Sequence, residues 1–140
     1  MKISFQILKN ILCLLAFVSI SLTAVANNTA DKCIVHLDKS FYVTGEIVWY
    51  QLYLPQTFKT KPVAIKASVL DATGTIQHSS FIQSEGKTAV DGYYKIPFNI
   101  KSGMYILQFT SINKASKSTV NLVETQLPIY NDLEGVAKTV

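Results

Sequence analysis

The side chains able to do chemistry in this chain are few and scattered. The two histidines, His36 and His78, stand on separate segments. A protein zinc site draws three or four His, Cys or acidic ligands, and no cluster of carboxylates accompanies either histidine. Ser79-Ser80 lacks the flanking glycines of a nucleophile elbow. No Asp/Asn/Gly loop for calcium and no glycine-rich cradle for phosphate occurs. The residues therefore offer no catalytic constellation, no cofactor site and no metal set. What they do offer is aromatic: Tyr42, Trp49, Tyr50, Tyr53, Tyr93 and Tyr94. Exposed aromatic rings suit contact with a protein or a sugar; buried ones suit a core.

Which of these occurs depends on the elements that carry the rings. Apolar residues alternate at period 2 in seven segments separated by turn signals. The predicted strands are 33–38, 46–55, 63–70, 75–83, 93–100, 104–112 and 119–130. In 46–55, Val48, Tyr50, Leu52 and Leu54 share one face, and Ile47, Trp49, Gln51 and Tyr53 the other. Trp49 and Tyr53 thus stand opposite Tyr50, and they are the candidate contact residues. Turns are expected at Tyr42–Gly45, Asp71–Gly74, Lys101–Gly103 and Asn113–Lys117, with a loop over Glu85–Gly92. Pro97 cannot donate to a ladder, which places 93–100 at an edge or a bulge. Leu52, Tyr105, Leu107 and Phe109 are in phase as core. The pattern predicts an all-β fold, a seven-stranded antiparallel sandwich of the immunoglobulin or fibronectin kind.

The first residues read as a leader. Lys2 and Lys9 precede an apolar run from Ile11 to Leu22, then Ala24-Val25-Ala26 supplies a small-any-small cleavage site. Residues 1–26 are expected to be a cleaved signal peptide. The run is shorter than a bilayer span needs, so no transmembrane span is expected in the mature chain. Cys13 follows Leu12, which does not suit lipid attachment. Residues 27–32 read as a loose N-terminus, 33–131 as one domain and 132–140 as a polar tail. The expected location is the periplasm or cell surface. Cys33, alternating with Val35 and Leu37, reads as a small buried hydrophobe, with an interchain bridge or a reactive thiol as alternatives. Every basic residue is lysine. Bidentate recognition of phosphate or guanine rests on arginine, so nucleic acid is not an expected partner.

The stretch from His36 to Pro55 also resembles a known family. His36, Asp38, Lys39, Ser40, Tyr42, Gly45, Glu46, Val48, Trp49 and Tyr50 are similar to the opening of the second macroglobulin domain of the alpha-2-macroglobulin family. Ile100–Ser111 and Leu127–Asp132 resemble later strands of that domain, in the same order. The resemblance covers about residues 32–132 and implies a macroglobulin-type β-sandwich. Similar domains occur in bacterial exported proteins, including some associated with TonB-dependent outer-membrane receptors. The bait region and the Cys-Gly-Glu-Gln thioester of the large protease-trapping members are absent here, so that activity is not carried over. Ser40 stands where the family often has proline, which should loosen the turn slightly.

The resulting expectation is a non-catalytic structural or interaction module that docks or spaces partners at the cell envelope. It is either a truncated relative of a longer protein or a domain that stands alone. Its expected partner is an envelope protein, such as a receptor or a longer macroglobulin-type chain. The alternative is a carbohydrate- or adhesion-type binding sandwich.

Overall fold

The computed structural model describes residues 32–113 and 116–134. The expected signal peptide and cleavage point, most of the expected loose N-terminal stretch and residues 135–140 of the expected tail lie outside the described residues. Among the described residues the chain forms eight strands and one 3₁₀ turn, Gln56–Lys59. The strands are β1 (Ile34–Leu37), β2 (Tyr42–Val43), β3 (Ile47–Tyr53), β4 (Ala64–Leu70), β5 (Ile76–Gln83), β6 (Ala89–Lys95), β7 (Gly103–Asn113) and β8 (Ser118–Tyr130). The fold is all-β, in two sheets. One has three antiparallel strands in the order β1-β3-β6; the other has five in the order β2-β8-β7-β4-β5 and curls as a half-barrel. Among the described residues no helix is long and apolar enough to cross a membrane.

Two expectations need correction. The strand count is eight rather than seven, and the additional strand lies where Tyr42–Gly45 was expected to turn. Tyr42 and Val43 pair with Ile129 and Tyr130, and they do so in parallel. Two residues are too few to show a period, so this strand has no signature in the sequence. The second correction is β6. It begins at Ala89, inside the expected loop, and ends at Lys95 rather than Ile100. Asp91-Gly92 looks like a turn, yet Gly92 sits within the strand opposite Tyr50. A Cβ at Gly92 would fall within 2.6 Å of three atoms of the Tyr50 phenol. The missing side chain is the space that Tyr50 uses. The far end stops two residues before Pro97, which has no N–H to donate. The Ile96 amide makes the last such bond, to the Glu46 carbonyl at 2.9 Å.

Alternation along β3 turns Val48, Tyr50 and Leu52 inward, where all three are buried. β4 contributes Ile65, Ala67 and Val69, and β8 contributes Leu127 and Ile129. Leu52, Tyr105, Leu107 and Phe109 are buried as expected. The Tyr50 ring meets Phe109 edge to face with centroids 5.1 Å apart, so one ring from each sheet closes the middle of the core. Cys33 is half-buried against this cluster, and burial raises its thiol pKa.

Residues 132–134, read from sequence as the start of a tail, form a turn tied to the body. The Glu134 carboxylate accepts the Ser102 amide at 2.9 Å. The Asn131 side chain donates to the carbonyls of Phe98 and Ile100.

Candidate functional site

The conspicuous motif of the sequence builds a support. Between β1 and β3 the chain leaves the three-stranded sheet, adds β2 to the other sheet, and returns. Short polar bonds hold this detour. The Tyr42 hydroxyl donates to Asp38 Oδ1 at 2.6 Å, and the Trp49 amide donates to the same oxygen at 3.1 Å. Glu46 accepts Lys39 Nζ at 2.7 Å and the Val43 amide at 2.9 Å. Gly45 takes a φ of +83°, which glycine adopts without strain, and the Phe98 ring fills the space where its side chain would be. Burial pushes the Asp38 carboxyl up, but bonds from the Tyr42 hydroxyl and the Trp49 amide outweigh it and hold the group below its ordinary value. The bond from Lys39, followed by that from the Val43 amide, likewise lowers Glu46. Burial, and then the bond to Asp38, pushes the Tyr42 hydroxyl well up. These groups are already engaged with one another, and what they position is the start of β3.

β3 then presents Ile47, Trp49, Gln51 and Tyr53 on its outer face. Register with the neighbouring strands arranges that face in rows. Tyr53 stands opposite Ile34 and Ala89, Gln51 opposite His36 and Asp91, Trp49 opposite Tyr93, and Ile47 opposite Lys95. Trp49 is 53% exposed, Tyr93 60% and Tyr53 38%. The Trp49 and Tyr93 rings meet with centroids 5.4 Å apart and planes tilted by 49°. The Tyr53 ring meets His36 edge on at 5.3 Å. A polar row runs between the aromatic rows: Gln51 donates to Asp91 at 3.0 Å and accepts the Tyr53 hydroxyl. A shallow depression of about 290 Å³ lies beside Trp49, lined also by His36, Gln51 and Asp91.

The structure thus places Trp49 and Tyr53 together on one exposed face, as alternation required. Gln51 shares that face, as alternation also required, and the structure adds Tyr93, His36 and Asp91, which sequence reasoning did not join to them. Tyr93 was visible as an aromatic, but its pairing with Trp49 follows from the β3–β6 register, which a strand start misplaced by four residues concealed. His36 belongs to the rim of this face. His78 is exposed on β5, its ring 4.8 Å from that of Tyr94. Among the described residues no group of three His, Cys, Asp or Glu comes together.

Opposite Trp49 and Tyr93, on the buried side of the same strands, lie Tyr50 and Tyr94. The Tyr94 hydroxyl is buried without a hydrogen-bond partner. Burial, followed by the nearby Tyr105, pushes it up to about 12. Burial also raises Tyr50, against a bond with Ser80 that draws it back. Comparison with protein-family models and with curated proteins returns no match to this chain.

Proposed function

We propose that this chain is a macroglobulin-type β-sandwich that works without catalysis, as an exported module docking or spacing a partner protein at the cell envelope. The observation that carries the reading is the outer face of the three-stranded sheet, where Trp49, Tyr53 and Tyr93 stand exposed around a polar row. Large rigid rings ringed by polar groups are the usual anchors of protein contacts. The resemblance in His36–Pro55 supports the family. In support of it, Asp38, Lys39, Tyr42 and Glu46 form one bonded unit that explains why those residue types recur together. The leader supports export. A carbohydrate-binding sandwich would want coplanar rings, and the 49° tilt of Trp49 against Tyr93 favours the protein contact over it.

The test is capture from envelope extract on immobilised wild-type domain and on Trp49→Ala/Tyr53→Ala. Partners retained by the wild type and lost by a folded double variant are the expected result. Identical recovery by both would discard the face. Hydrolytic turnover by the purified domain would discard the non-catalytic reading itself.

A further inference from the structure

Every open sheet must manage its edges, because an edge strand presents unpaired N–H and C=O groups that another strand can take up. The described sheets have four edges, and three are blunted. β1 is four residues long and runs into Asp38-Lys39. β6 carries Asp91 and Lys95 and stops short of Pro97. The edge on the far side of the five-stranded sheet is covered at one end by β2, and along the rest β8 carries Glu124 and Pro128. Charge, proline and short length are the ordinary protections.

β5 has none of these. It spans eight residues, Ile76-Gln77-His78-Ser79-Ser80-Phe81-Ile82-Gln83, without an acid, a lysine or a proline. On one side it pairs with β4; on the other no described strand pairs with it. Its one irregularity falls opposite Val69 and Leu70, which leaves His78–Gln83 in unbroken register. Phe81 projects at 69% exposure. The residues of β5 that share a face with Ile65, Ala67 and Val69 are Ile82, Ser80 and His78. They are only half-buried or exposed, although Tyr94 of the three-stranded sheet meets the His78 ring and Tyr50 bonds Ser80. A groove of about 660 Å³ opens there, between β5 and the edge of β6, lined by Tyr50, His78, Ser80, Ile82, Gly92 and Tyr94.

We propose that β5 is a self-association edge, on which β5 of a second copy of this chain adds antiparallel across a two-fold axis. Backbone groups on an open edge are complementary only to another extended strand. With no charge on β5, two copies meet without repulsion in any register, whereas on β6 or β8 the registers centred on Asp91, Lys95 or Glu124 would set like charges face to face. A two-fold axis at Ser79 or at Ser80 keeps the pleat in phase, so outward residues remain outward in both copies. In either register Phe81 of one copy lies beside an uncharged Ser79 or Gln77 of the other. The inward row of the added strand, His78, Ser80 and Ile82, consists of small to medium side chains suited to the groove. This inference uses a different surface from the aromatic face and does not rest on it.

The experiment is sedimentation or light scattering of residues 27–140 over a concentration series, for wild type, Phe81→Lys, Ser79→Lys and Trp49→Ala. The expected result is a wild-type monomer–dimer equilibrium. Either lysine, placing a charge within the apposed edge, should weaken it severalfold, and Trp49→Ala should leave it unchanged. Both lysines replace outward residues at an exposed edge; should one variant lose its β-sheet circular dichroism, the other reads the same contact. A wild type that stays monomeric throughout overturns the proposal. So does a dimer that withstands both lysines, or one that dissociates with Trp49→Ala.

Discussion

β3 and β6 carry two aromatic pairs back to back, and the two sides of that sheet show how one residue type serves opposite ends. Inside, Tyr50 and Tyr94 are buried; outside, Trp49 and Tyr93 are more than half exposed. The inner tyrosines are constrained by everything around them. Tyr50 needs the empty space at Gly92, an edge-on contact with Phe109 and a bond with Ser80. The outer pair touch each other and little is required of them by the fold. A residue that the fold does not need, yet which leaves a large apolar ring in water, is the stronger pointer to contact with something else.

Mutations can sharpen or break this contrast. The largest loss should come from the inner side: Leu107→Ala, in the layer facing β3, should cost about 2–5 kcal/mol in denaturant unfolding. A cost like that of a surface substitution would mean that the inner face is not a packed core. Gly92→Ala should cost about 1–3 kcal/mol, because the added methyl overlaps the Tyr50 phenol. Most of that cost should disappear in a Tyr50→Leu background, measured as a double-mutant cycle; strictly additive losses would show that the two residues do not compete for space. Tyr94→Phe removes a buried hydroxyl that has no partner. It should leave stability unchanged or raise it by about 1 kcal/mol, and a clear loss would mean that the hydroxyl is bonded. The smallest effect is expected outside. Trp49→Ala should change stability by less than about 1 kcal/mol, the worth of one cross-strand pair. A loss as large as that of Leu107→Ala would make Trp49 a structural residue and remove it from the contact surface.

Much of this was legible from period-2 alternation alone. The two faces of β3, the core phase of Tyr105, Leu107 and Phe109, and the placing of Trp49 and Tyr53 on the face opposite Tyr50 all follow from side chains alternating across a pleat. Three things were not legible, each for its own reason. β2 is two residues long and gains its pairing from residues at the far end of the chain. The start of β6 was hidden because Asp91-Gly92 reads locally as a turn, while the need for glycine arises from Tyr50 on another strand. The partners of Trp49 and Tyr53 depend on register, which no single segment encodes. Asp38, Lys39 and Glu46 stood out by type and spacing, but only geometry shows them bonded to one another.

That bonded detour between β1 and β3 also bears on the order in which the chain assembles. Its contacts join residues three to eleven positions apart, from Val43–Glu46 to Asp38–Trp49. The short strand inside it must instead find β8, and the Thr44 side chain reaches Asp132, 88 positions away. Closing a short loop costs less chain entropy than closing a long one. The detour can therefore close while the rest of the chain is still open, presenting Tyr42 and Val43 already extended. β8, the last of the described strands along the chain, then docks against a prepared strand. Parallel pairing over so long a separation would otherwise be a slow step. On this account Asp38→Ala retards refolding, whereas a change in β8 such as Ile129→Val chiefly accelerates unfolding.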